Sequence, residues 1–317
     1  MPRKLSDYRS ENPITYNLLS DPLAANLIIA LPLNKQYGLR DISNQIRGSG
    51  TEHTNFSYVK INTSNIVRHQ SCFYDSCLRI PHVARNQGGN AGVIDLGIGA
   101  TQLGTDDLGT DDFTIECWMY FESFDFEEFS IMHPYRYNDG NANGDVPSLV
   151  VFGDNKSTFG NRRKVSFRRA SGSGGAWVEF NRAGNSPSGG ALSTALLSGT
   201  LSPRIWYYIA AHKRTSATEQ TYAISIGSRE NDGSLDAVDG FTSSGARTIT
   251  DFTTNLSSQT PSLIHDFVGN NYQFFYSKFN NGRMPVGVYA QDLKVYKGVT
   301  KSTPGKEYRV PDPILVY

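Results

Sequence analysis

Three cysteines, Cys72, Cys77 and Cys117, are all the thiols in this chain of 317 residues. That number builds no disulfide framework, and the five-residue spacing of Cys72 and Cys77 lacks the paired CxxC clusters of a structural zinc site. Net charge is missing as well, since 30 Lys+Arg balance 30 Asp+Glu. With no global field to gather phosphates or anionic headgroups, nucleic-acid wrapping and electrostatic membrane anchoring are not expected. No apolar run approaches the ~20 residues that span a bilayer. The best, Leu27 to Leu33, meets Pro32 and is strand length. The first ten residues are polar and hold no secretory apolar segment, so synthesis in a cytoplasm is expected. The sequons at Asn55, Asn62, Asn155 and Asn255 then read as polar loop positions.

Helical periodicity is also lacking, whereas alternation with period two dominates, and this points to an all-β protein. The clearest strand is Phe113 to Phe121. Phe113, Ile115, Cys117, Met119 and Phe121 share one face, and Thr114, Glu116, Trp118 and Tyr120 share the other. Lys164–Arg169 and Ala176–Phe180 flank a Gly/Ser loop and read as a hairpin; Arg204–His212 and Gln220–Gly227 read as another. Val286 to Tyr296 is the last regular strand, and Ala191 to Leu197 the one short helix expected. A length that allows two domains is read as one, residues 26–300, with an insertion at about 82–110. An N-terminal arm (1–25) and a Pro-containing C-terminal tail (301–317) flank it.

Four segments share a resemblance. Asp112-Phe-Thr-Ile-Glu-Cys-Trp-Met-Tyr-Phe121 resembles a characteristic strand of concanavalin A-like lectin/glucanase domains of the laminin G-like type. Trp206-Tyr-Tyr-Ile-Ala with Tyr222-Ala-Ile-Ser-Ile226 is similar to a later hairpin of that family, and Gly287 to Gly298 to its closing strand. Asn26 to Asn34 with Asp41-Ile-Ser43 resembles its opening strand and turn. The resemblance implies a jelly-roll sandwich of two antiparallel sheets, with short helical insertions. Such domains serve as glycan-binding and adhesion modules, glycosidases and parts of phage virions, so fold alone does not choose among them.

Catalytic patterns are sparse. A glycosidase needs carboxylates flanking one bond ~5 Å apart, but in Glu122-Ser-Phe-Asp125-Phe-Glu127-Glu128 the spacing puts Glu122 and Asp125 on opposite faces and leaves only Asp125 and Glu127 together. A solvated loop is the expected reading. The six histidines show no H-E-x-x-H spacing, and neither a nucleophile elbow nor a phosphate-cradling P-loop occurs. Asp139, Asn141, Asn143 and Asp145 alternate as in the first half of a calcium loop, with Val150 where the bidentate glutamate belongs. They are candidate calcium ligands, although Asp, Asn and Gly also make ordinary tight turns. Trp118, Tyr120, Trp177, Trp206 and Tyr208 are candidate glycan-stacking rings; the same rings commonly fill a sandwich core or a subunit contact. The basic run Arg162, Arg163, Lys164, Arg168 and Arg169 alternates faces and reads as an exposed hairpin or a charged edge strand.

The leading expectation is a non-enzymatic virion structural protein of a phage, a capsid-decoration or tail subunit at the virion surface. Its partners would be other virion proteins and copies of itself, with the arms ordering on assembly. The alternative is a carbohydrate-binding adhesin for a host surface glycan. A glycoside hydrolase ranks third.

Overall fold

In Phe113–Phe121 the alternate side chains enter two separate apolar clusters, and the rest of the fold is arranged around that division. The computed structural model describes residues 17–18, 20–50, 57–58, 63–69, 74–80, 94–95, 111–126, 128–134, 148–155, 163, 165–171, 176–179, 201–215, 219–229, 247–248, 252–255, 272–278, 287–301 and 315–316.

The first strands are β1 (Asn17–Leu18), β2 (Leu27–Leu31), β3 (Ser57–Tyr58), β4 (Ile66–Arg68), β5 (Ser76–Ile80) and β6 (Ile94–Asp95). There follow β7 (Phe113–Phe121), β8 (Glu128–Pro134), β9 (Ser148–Phe152), β10 (Val165–Ser171) and β11 (Ala176–Glu179). The remainder are β12 (Trp206–Thr215), β13 (Glu219–Arg229), β14 (Arg247–Thr248), β15 (Phe252–Asn255), β16 (Tyr272–Lys278), β17 (Val288–Lys297) and β18 (Leu315–Val316). One α-helix, α1 (Ser43–Arg47), is present among the described residues.

Two antiparallel sheets make the sandwich. The seven-stranded sheet runs β11-β10-β9-β8-β16-β6-β3, and the nine-stranded sheet runs β14-β13-β12-β7-β17-β5-β4, with β15 beside β13 and β2 beside β17. Both expected hairpins form, β10 with β11 and β12 with β13. Between the sheets lies the main core. Phe113, Ile115, Cys117, Met119 and Phe121 of β7 meet Phe129, Ile131 and Met132 of β8 and Phe274 and Phe275 of β16 there. Burial of this apolar surface is the main force holding the two layers together. Within the expected insertion, Ile94–Asp95 is β6 of the seven-stranded sheet, and the other residues of 82–110 lie outside those described.

β17 breaks strict alternation. Val288 and Ala290 face the core, and so do Leu293 and Val295, because one extra residue is inserted between Gln291 and Lys294 opposite β7. At this β-bulge Asp292 takes φ 55°, in the left-handed region that an aspartate tolerates better than most residues. The inserted residue puts Tyr289, Gln291, Lys294 and Tyr296 in register with Tyr120, Trp118, Glu116 and Thr114, the outward side chains of β7. A strict period of two would drive Lys294 into the apolar core.

Helix α1 was not anticipated, since five residues carry no readable 3.6 period, and the expected helix at 191–197 lies outside the described residues. Asp41 organises the approach to α1. Its carboxylate accepts from the Ala30 and Ser43 N–H groups and from the Ser43 hydroxyl, which ties the turn to the edge of β2. Of the arms, Asn17–Leu18 pairs with Leu315–Val316 in a small separate sheet.

Candidate functional site on the outer face of the larger sheet

Registers across β12, β7 and β17 arrange the outward side chains in transverse rows. Trp206, Tyr120 and Tyr289 form one row, extended to Arg79 on β5, and Tyr208, Trp118 and Gln291 form the next. Then come Ala210, Glu116 and Lys294, followed by His212, Thr114 and Tyr296. The face is therefore aromatic at one end and charged at the other.

The charged end is closed. Glu116 Oε1 lies 2.8 Å from Lys294 Nζ and 3.0 Å from Lys301 Nζ, and the Tyr208 hydroxyl donates to Oε2 over 2.6 Å. The bulged Asp292 adds its carboxylate 3.4 Å from Lys294 and accepts from the Tyr74 hydroxyl at 2.7 Å. Lys301 also lies over the Tyr296 ring, 3.6 Å from its centroid, a cation–π contact. Burial alone would raise the Glu116 carboxyl, but the two lysines and the Tyr208 hydroxyl hold it far below the usual carboxylate range. Burial would likewise lower Lys294, yet Glu116 and Asp292 outweigh it and keep the ammonium charged. His212, buried and 3.1 Å from the Thr114 hydroxyl, is pushed down to about 3 by loss of solvation, so its imidazole is neutral. Glu116, Asp292 and Lys294 are at most 4% exposed, so these groups meet one another and not solvent.

The aromatic end is partly open. His69, just past β4, stacks on Tyr289 with centroids 4.2 Å apart and meets Tyr120 edge-on at 4.7 Å. Tyr120 and Trp206 lie 5.5 Å apart. Tyr120 and His69 are half-buried, and the polar side chains around them, Glu122, Arg79 and Arg204, are exposed. Glu122 is held in place: its N–H donates to Gly287 O at 2.8 Å, and its Oε1 accepts from the Tyr289 hydroxyl at 2.8 Å. Gly287, at φ 69°, makes room for it, because a Cβ there would collide with the Glu122 carboxylate. Burial and Glu122 together push the Tyr289 phenol up to about 12. Arg204 sits at φ 66° in the turn before β12, with its N–H bonded to Phe121 O at 2.7 Å.

Of the candidate rings, Trp118, Tyr120, Trp206 and Tyr208 do share this face. Trp118 and Tyr208, each 1% exposed, are packed into it and offer no free ring surface, whereas Tyr120 does. Trp177 is on β11 of the other sheet, with its side chain outside the described residues. The candidate calcium ligands Asp139, Asn141, Asn143 and Asp145 also fall outside the described residues. Glu122 and Asp125 are exposed in a loop, where Asp125 accepts from Asn155 Nδ2. In the basic run, Arg163 is closed by a two-pronged pair with Asp154, both contacts 2.7 Å. Cys77 and Cys117 are buried, and desolvation raises both thiols, Cys77 to about 12. Sequence reasoning missed Tyr289, His69, Glu122, Arg79 and Arg204 as neighbours. The outward position of Tyr289 in its strand was the one available signal.

No family model matches the sequence, and no curated protein matches it. Among solved structures, the chain is similar to the binding domain of botulinum neurotoxin DC in complex with rat synaptotagmin II, with 10% identity and a TM-score of 0.37. It is also similar to the botulinum neurotoxin serotype C1 binding domain (10%, 0.40) and to the neurotoxin DC binding domain in complex with SialylT (11%, 0.38). Each alignment covers 88% of this chain and 50% of the other, so the chain spans about half the length of those structures. At such scores the likeness carries no argument about function.

Proposed function

We propose that this β-sandwich is a carbohydrate-binding module whose ligand docks at the aromatic end of the outer face. One observation carries the reading: the half-buried rings of Tyr120 and His69, packed on the buried rings of Trp206 and Tyr289, are rimmed by the exposed polar side chains Glu122, Arg204 and Arg79. Sugars present apolar C–H faces together with many hydroxyls. A few flat rings beside fixed hydrogen-bonding groups meet both needs, as in other small-molecule sites. Glu122 supplies an oriented acceptor and the guanidinium groups supply donors. Binding without hydrolysis is part of the proposal: Glu122 is bonded to a tyrosine, and Glu116 is buried between two lysines. Neither forms an open pair of carboxylates across a scissile bond. A glycan array tests the reading. Binding by the wild type that Tyr120→Ala abolishes at unchanged melting temperature supports it; a folded protein that binds no glycan overturns it.

A second reading, a structural subunit of a phage particle, is favoured by the meeting of the chain-end strands. Asn17–Leu18 and Leu315–Val316 form a sheet of two strands with no further strand beside them among the described residues, and Leu18 is 38% exposed. Open strand edges invite pairing with a neighbouring chain. Removal of residues 1–20 should then leave a folded domain that no longer joins particles; normal incorporation would sink this reading.

A further inference from the structure

We infer that the ligand of the aromatic end is an acidic oligosaccharide, laid across the strands with carboxylate or sulfate groups at Arg79 and Arg204. This rests on the carbohydrate-binding reading above. Arg79 continues the row of Trp206, Tyr120 and Tyr289, so a guanidinium terminates that row on β5. Arg204 stands at the opposite side, in the turn that enters β12 directly before Trp206. Both are close enough to act on the floor of the site. Burial and Glu122 raise the Tyr120 and Tyr289 phenols, and the nearby guanidinium groups oppose that rise, Arg204 at Tyr120 and Arg79 at Tyr289.

Neither guanidinium makes a hydrogen bond or ion pair among the described residues, and both side chains are exposed. Arg163, by contrast, is closed bidentately by Asp154. The nearby carboxylate, Glu122, is taken up by the Tyr289 hydroxyl. Two uncommitted cations against one engaged anion leave the rim, among the described residues, locally positive on a chain whose formal net charge is +0. Planar guanidinium groups match the two oxygens of a carboxylate or sulfate, and such charge-assisted bonds are the strong ones. Four neighbouring strands, ~4.8 Å apart, separate the ends of the row by roughly 14 Å, which calls for an oligosaccharide and not a single sugar.

Calorimetric titration tests this with paired probes: trigalacturonate against its methyl ester, and a sulfated carrageenan oligomer against the desulfated one. At least one acidic member should bind tenfold or more tightly than its neutral partner, with affinity falling as salt rises. The two pairs separate carboxylate from sulfate as the preferred group. Arg79→Gln and Arg204→Gln should each remove most of that preference, while Arg214→Gln, at the far end of β12, should leave it. Arg204→Lys, which keeps the charge, should retain part of it, and thermal melts confirm that each variant is folded. Equal binding of neutral and acidic partners overturns the inference and leaves the carbohydrate reading standing. An equal loss in Arg214→Gln overturns the assignment to these two arginines. Failure of every oligosaccharide to bind the folded protein overturns both.

Discussion

Lys294 holds its ammonium 2.8 Å from Glu116 Oε1 on the outer face of the larger sheet, in a register produced by the bulge at Asp292. Because Glu116 also binds Lys301, its carboxylate balances two cations, one buried and one half-buried. Removing one member of a buried ion pair leaves an uncompensated charge and costs about 3–5 kcal/mol. Glu116→Gln, which strips Lys301 of its carboxylate, and Lys294→Met, which strips the buried Asp292 of its ammonium, should therefore each cost stability on that scale. Urea denaturation measures both. A Glu116→Gln loss below about 1 kcal/mol would show that the cluster is not held by this carboxylate.

His212 gives the fold a pH dependence of definite sign. Its folded-state value lies near 3, below the ordinary 6.5, so the unfolded chain takes up a proton that the native state refuses. Stability contributed by the neutral imidazole is present above pH 6.5 and is lost as pH falls, by about 1.4 kcal/mol per pH unit. Glu116, whose carboxyl is depressed, adds its own loss only below the ordinary carboxylate range, nearer pH 4. Between pH 6 and 5 the slope should thus belong to His212. Denaturation midpoints of wild type and His212→Gln across that interval measure it, and identical slopes would refute the assignment.

Gly287→Ala should have two consequences at once. A Cβ at φ 69° costs roughly 1 kcal/mol, and it also displaces the Glu122 carboxylate from Tyr289. The variant should melt several degrees lower and bind glycan more weakly. Unchanged ligand affinity would mean that the position of Glu122 is irrelevant to binding.

The aromatic face should divide into packing and binding residues. Trp118, 1% exposed, fills the centre of the cluster, so Trp118→Ala should cost about 3–5 kcal/mol. Tyr120→Ala, at a half-buried ring, should cost less and remove ligand binding. Thermal melts alongside binding assays separate the two, and an intact fold with intact binding in Tyr120→Ala would reject the division.

Much of this architecture could be read from alternation alone. Strand β7 lies where Phe113–Phe121 placed it, with the same five side chains in the core, and both hairpins follow their turn residues. What escaped is whatever depends on how strands align. The bulge at Asp292 shifts the face of every later residue in β17, and a local period of two cannot register an inserted residue. His69 follows a strand of three residues, too short for a pattern, and joins Tyr120 and Tyr289 only through the fold. Glu116 and Trp118 were placed on one face with nothing to say that lysines would close over the first and aromatic rings over the second.

The central claim, that ligand docks on the Trp206–Tyr120–Tyr289 row, is tested most directly by tryptophan fluorescence. The chain has three tryptophans, so Trp118→Phe with Trp177→Phe leaves Trp206 as sole reporter. Titration with an oligosaccharide that binds on the array should give a saturable change in Trp206 emission, lost when Tyr120→Ala is added. Undiminished binding with no change at Trp206 would place the ligand elsewhere and contradict the account.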